Sequence, residues 1–147
     1  SILQQVAEGL QKETSRIRLA EADDEVQKQT AQILQAVTVL AEEISRLPET
    51  AQAKKLEQWL QEHKNLEAVW SNREDGSFIV SLPPAGLANA NGREWFRRAL
   101  LEGSYVSEVY VSAISGQPCV TVAASCCNAA GSKMVLGVDL SLKQKET

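Results

Sequence analysis

The stretch from Tyr105 to Leu142, YVSEVYVSAISGQPCVTVAASCCNAAGSKMVLGVDLSL, decides how this sequence folds. Its first part, Tyr105-Val106-Ser107-Glu108-Val109-Tyr110-Val111-Ser112, alternates strictly between two sides, which is the period of a strand. Ser115-Gly116-Gln117-Pro118 reads as a turn, Cys119 to Cys127 is rich in β-formers, Asn128 to Ser132 turns again, and Met134 to Leu142 is a last strand. Turns this short join antiparallel neighbours, because parallel strands need a crossover of a dozen or more residues.

Working outward toward the N-terminus, the same logic finds one more hairpin and then helices. Leu66-Glu67-Ala68-Val69-Trp70 alternates, Asp75-Gly76 is a hairpin turn, and Phe78 to Leu82 follows as the second strand. Pro83-Pro84 closes that unit, since proline gives no donor to a ladder. An irregular loop from Ala85 to Gly92 leads to a short helix, Arg93 to Leu101, with Trp95, Phe96, Ala99 and Leu100 on its apolar side.

Before Leu66 the period is helical. Apolar residues recur in steps of three and four at Ile2/Leu3, Val6, Leu10, Ile17, Ala20, Ile33/Leu34, Val37, Leu40/Ala41, Ile44 and Leu47. Asp23, Asp24 and Gln27 soften the stripe, so either one helix or two fits. Pro48 ends it, and a second helix runs from Glu49 to His63 with Ala53, Leu56, Trp59 and Leu60 together. The expected architecture is α+β, a long N-terminal helix plus a five-stranded antiparallel sheet with helices packed on one face. Residues 1–65 form the helical part and residues 66–147 the sheet domain of one structural unit. A leading helix of about 45 residues is near 65 Å long, longer than such a domain is wide. A parallel partner helix, giving a homodimer, covers its outer part in one reading; a local two-helix hairpin is the other.

Composition narrows the function. The chain has 147 residues, 44% apolar and 23% charged, with net charge −4. An acidic balance disfavours nucleic acid, whose phosphates ask for a basic face. No run of about 18 apolar residues is present, so no membrane span is expected, and no signal peptide precedes the first helix. Ser1 and the uncapped tail Lys143 to Thr147 read as the ends of a piece of a longer protein, so a membrane would enter only through flanking segments. His63 is the only histidine, and Cys119, Cys126 and Cys127 form no CxxC. No metal site and no cofactor are therefore expected. The cysteines read as small apolar strand residues, or as a disulfide between Cys119 and Cys127 or between Cys126 and Cys127. Without G-x-S-x-G, H-E-x-x-H or a P-loop, and with His63 on a helix between Glu62 and Lys64, an enzyme is not expected.

Four segments in order carry a resemblance: Arg93-Glu94-Trp95-Phe96, then Tyr105 to Ser112, then Ser115 to Pro118, then Gly137-Val138-Asp139-Leu140-Ser141-Leu142. Together they resemble the Cache sensor domains, PAS-like extracytoplasmic domains of bacterial chemoreceptors, sensor kinases and cyclic-dinucleotide enzymes. The resemblance spans residues 66–142 and implies a single module that binds a small molecule in the periplasm and signals across the inner membrane; the alternative is a structural or dimerisation module with no small-molecule ligand.

Arg93 opens its helix after Asn89-Ala90-Asn91-Gly92, where free backbone N–H groups favour an anion. Its planar fork grips a carboxylate with two parallel hydrogen bonds. The alternative is a surface ion pair with Glu94 or Asp139. Of Trp95 and Phe96, one walls the pocket and the other packs beneath the sheet; the resemblance favours Trp95 as wall. The resemblance also places Tyr110 beside the ligand carboxylate, against ordinary packing. Asp139 is an acid inside an apolar strand and needs a partner, either a ligand amine or a structural donor such as Arg93 or a backbone N–H. Amino-acid-binding Cache domains carry an acid two residues after this tyrosine, and here Ser112 stands there. One acid instead of two shifts the expected ligand from an amino acid to a small carboxylate such as acetate, propionate, lactate or pyruvate. The expected site is thus Arg93, Trp95, Phe96, Tyr110, Ser112 and Asp139.

Overall fold

The computed structural model describes the backbone of residues 2–142 and the side chains from residue 24 onward. The first helix, α1 (Ile2–Ser45), is uninterrupted, so the polar middle does not divide it. Its 44 residues extend about 66 Å at 1.5 Å per residue. The expected partner-helix contact along its first half lies outside the described side chains. Toward its end, Ile33, Val37, Leu40, Ala41 and Ile44 form the three-and-four stripe and are all buried. A tight turn at Pro48 leads to α2 (Glu49–Glu62), and the Ala51 N–H donates to the Pro48 carbonyl at 2.9 Å.

The strands are β1 (Leu66–Arg73), β2 (Phe78–Leu82), β3 (Ser104–Val106), β4 (Tyr110–Val111), β5 (Pro118–Cys127) and β6 (Lys133–Ser141), with α3 (Glu94–Glu102) between β2 and β3. They form one sheet in the order β2-β1-β6-β5-β3, with β4 also on β5, and every pairing is antiparallel. The fold is α+β, as the periodicities imply.

Two features differ from the sequence reading. The run Tyr105 to Ser112 is not one strand but two, because it carries an extra residue. Val106 faces Val122 and Tyr110 faces Cys119, so four steps on one side answer three on the other. This is a bulge, which shifts every later side chain to the opposite face. The helices also do not share one face. α1 and α2 cover Val69, Val80, Val120, Val122, Met134, Leu136, Val138 and Leu140. α3 lies on the other side, where Phe96 and Ala99 pack on Ala123 and Val135. The central strands are buried on both faces, which is why β5 and β6 read as continuous apolar runs.

Beneath α2, the buried Gln52 finds partners for both ends of its amide. Its Nε2 donates to Met134 Sδ at 3.7 Å, and its Oε1 accepts from Ser71 Oγ at 2.9 Å. At the β1–β2 turn, Gly76 adopts φ +89, the left-handed region that the Asp-Gly pair supplies. Asn72 Nδ2 donates to the Gly76 carbonyl at 3.0 Å, and Asn89 Nδ2 donates to the Asp75 carbonyl at 3.1 Å, tying the loop before α3 to the hairpin.

Candidate ligand-binding site

Neighbouring strands line up their side chains in transverse rows, and two rows on the α3 face make a depression. One row reads Trp70, Gly137, Ala123, Tyr105 across β1, β6, β5 and β3. Two large aromatic rings thus flank two of the smallest residues, leaving a trough. The next row reads Ala68, Asp139, Thr121. The short α3 covers Ala123 and Val135. Arg93 and Trp95, at the start of α3, meet Trp70, Tyr105, Tyr110, Thr121 and Asp139 around a depression of about 370 Å³. Larger depressions exist, but this one combines a cation, an acid and aromatic walls, the lining expected of a small-molecule site.

The floor carries a triangle of oxygens. Tyr110 Oη and Thr121 Oγ1 both donate to Asp139 Oδ1, at 2.9 and 2.8 Å, and lie 2.6 Å from each other. The bulge makes this possible, since Tyr105 and Tyr110 are an odd number of residues apart and would otherwise face opposite ways. Ser107 locks the bulge: its N–H donates to the Thr121 carbonyl at 2.9 Å and its Oγ accepts from the Thr121 N–H at 2.8 Å. Burial pushes the Asp139 carboxyl above the usual range, against the pull of its Thr121 and Tyr110 bonds, and the nearby Glu67 charge adds to the push. Burial likewise raises the Tyr110 phenol, and it drives the Cys119 thiol up to about 12. Asp139 Oδ2 has no hydrogen-bond partner among the described residues.

Arg93 is exposed and caps α3 through its backbone, whose carbonyl accepts the Arg97 N–H at 3.1 Å. Its guanidinium pairs with no acid among the described residues. Glu94, the nearest alternative, instead takes Arg98 Nη1 at 3.3 Å. Trp95 stands edge-on to Trp70, with ring centres 5.2 Å apart and planes at 61°.

The structure brings together Arg93, Trp95, Tyr110 and Asp139. It does not bring Phe96 or Ser112 to the same place. Phe96 is 1% exposed, packed with Ala90, Ala99, Ala123 and Val135 under the helix. Ser112 is buried in the β4–β5 turn, where its Oγ accepts the Ile114 N–H at 3.1 Å. Neither donor expected for Asp139, Arg93 or a backbone N–H, is used; two hydroxyls take that role. Sequence reasoning missed Trp70, Tyr105 and Thr121. Trp70 and Gly137 carried a signal, a large ring and a glycine each inside a strand, but only the register sets them opposite one another. Gly137 is needed there, because a Cβ would stand 2.5 Å from the Trp70 ring.

All three cysteines are free. Cys119 and Cys127 lie on one strand, about 26 Å apart at the strand rise, and Cys126 and Cys127 point to opposite faces. That geometry rules out both disulfides within this fold.

No protein-family model matches this sequence, and no curated protein matches it. Solved structures do. The ligand-binding domain of PctC, an amino acid chemoreceptor of Pseudomonas aeruginosa, in complex with GABA, superposes with TM-score 0.71 at 21% identity, over 84% of this chain and 58% of that one. The ligand-binding domain of the Campylobacter jejuni chemoreceptor Tlp3, in complex with 4-methylisoleucine, gives 0.67 at 18% identity, over 84% and 55%. That of the Pseudomonas fluorescens chemoreceptor CtaA, in complex with L-alanine, gives 0.62 at 25% identity, over 82% and 55%. The chain spans between 55% and 58% of the length of these domains. This chain has the fold of the ligand-binding domains of bacterial chemoreceptors, the Cache-type sensor fold that its motifs resemble.

Proposed function

We propose that this chain is a small-molecule sensor module, extracytoplasmic in its parent protein, which binds a small carboxylate between α3 and the sheet. One observation carries the reading: an unpaired guanidinium, Arg93, stands at the rim of a depression walled by tryptophans and floored by Tyr110 and Asp139. A ligand that prefers one arrangement of α3 over another shifts the population between them, and α3 is held on the sheet by a small core cluster. Binding rather than catalysis fits the raised Cys119 thiol and Tyr110 phenol, which keep both groups protonated and poorly nucleophilic. No helix among the described residues is long and apolar enough to cross a membrane. The length of α1 beyond the sheet it packs on supports pairing of two copies through that helix, which sedimentation of the isolated chain tests.

A second ligand class, an acid that also carries an ammonium, is favoured by the free oxygen of Asp139 and by the amino acids and GABA held in the structural neighbours. Calorimetry with acetate, propionate, lactate, pyruvate, L-alanine and GABA separates the two. In the first reading a plain acid binds, and Arg93→Ala weakens it at least about tenfold, the worth of one charge-assisted contact. Binding of the amino compounds alone moves the conclusion to the second class. Binding indifferent to Arg93 ends both.

A further inference from the structure

Trp70 is 8% exposed, and its indole N–H is buried without an acceptor. A buried tryptophan normally finds a partner for this group, because an unmet donor away from water is a standing cost. The chain accepts a second cost on its behalf. Gly137 sits in mid-strand, where glycine weakens a sheet, and it leaves room for the ring to lie across β6. If Trp70 only filled space, phenylalanine would do so without a polar atom. The ring instead lines the depression, held edge-on by Trp95, while its N–H edge lies over Gly137 with almost no open surface, so a ligand reaches the donor only when the ring or α3 shifts.

We infer that Trp70 is a ligand-binding residue whose indole N–H donates to an oxygen of the bound acid. The assignment rests on reading the depression as the ligand site. A carboxylate offers about four lone-pair positions, so Arg93 and Trp70 have room to share one. The arrangement then has a polarity. Donors from α3 and β1 meet the acid group, and Asp139 on β6 with its hydroxyl partners lies along the floor. Trp70 makes the site selective for ligands with an acceptor at that point, and an apolar analogue leaves the donor unmet.

Nitrogen-15 NMR reads the indole donors directly, and the chain has three tryptophans. The resonance missing from Trp70→Phe identifies Trp70. The same six compounds, acetate, propionate, lactate, pyruvate, L-alanine and GABA, serve as probes. The expected result is a downfield shift of that resonance with at least one of them, and about tenfold weaker binding to Trp70→Phe. The melting temperature of Trp70→Phe without ligand is expected to be unchanged or higher, since the removed donor had no partner. A probe that binds through Arg93 yet leaves the Trp70 resonance in place, and binds Trp70→Phe equally well, overturns the assignment while the site stands. If no probe binds, or binding ignores Arg93→Ala, the site falls and Trp70's role with it. Should Trp70→Phe fold poorly, the wild-type shift decides, assigned by elimination from Trp59→Phe and Trp95→Phe.

Discussion

The two faces of the sheet are built from alternate residues of the same strands, yet they are finished differently. On one, α1 and α2 close over Val120, Val122, Leu136 and Val138, and the buried Gln52 has both amide ends partnered. On the other, the nine-residue α3 covers only part of the surface and leaves Thr121 and Asp139 facing a depression. The closed face gathers apolar area, the main source of stability. The open face keeps the Trp70 indole N–H without a partner. Strand alternation thus lets one sheet separate what holds the fold from what meets a ligand.

The sharpest way to break this comparison is to cut into the closed face. Leu136→Ala empties a fully buried position and should cost about 3 kcal/mol in chemical denaturation. A cost comparable to a surface change would mean the closed face does not carry the stability. Gly137→Ala comes next. The added methyl meets the Trp70 ring and should cost about 2 kcal/mol by overpacking, with an altered near-ultraviolet tryptophan signal. An unchanged signal would show that the ring has space to spare.

Tyr110→Phe removes one of the two hydroxyl bonds to Asp139 and should cost about 1 kcal/mol. Because that bond favours the charged carboxylate, its loss should raise the Asp139 pKa further, as read by carboxyl NMR titration. Asp139→Asn should act in the opposite direction. A carboxyl whose folded pKa lies above its unfolded one contributes stability that is complete below the unfolded value and lost as pH rises through the folded one. At neutral pH the charge therefore opposes folding, and the asparagine variant should melt slightly higher there, with the gain vanishing in acid. Lower stability at pH 7 would show that the hydroxyl bonds outweigh burial. Smallest of all, Arg93→Ala should change stability by no more than about 0.5 kcal/mol, because its guanidinium has no partner to lose. A larger loss would make Arg93 a structural residue.

Much of this was legible in the sequence, and the parts that were not share a cause. Pro48, Asp75-Gly76 and the shift of period after His63 place the element boundaries within a residue or two. Period alone could not say which helix covers which face, since Val122 and Ala123 are equally apolar and point opposite ways. Nor did it locate the extra residue between Val106 and Tyr110, because the break at Ser107-Glu108, two polar residues between apolar pairs, gains its meaning only beside a partner strand. The bulge appears only against the register of β5. The site divides along the same line. Arg93 and Asp139 stood out by chemistry, one a cation at a helix start and the other an acid in an apolar strand. Trp70 did not, because what singles it out is the glycine opposite. Ser112 misled because its place after Tyr110 suggested a shared face, whereas its hydroxyl serves the turn.

The extra residue at Ser107 to Val109 also bears on how the molecule behaves in company. Val106, Val109 and Val111 are 41%, 54% and 71% exposed, along the outer border of the sheet. Run straight, eight residues rich in valine and tyrosine would present an unbroken row of free amides and carbonyls, the kind of template on which a second chain stacks. The kink interrupts that row after three residues and resumes it for only two. The irregularity that turns Tyr110 inward thus also guards the border against self-association, and a variant lacking one residue there should lose solubility along with its inward tyrosine.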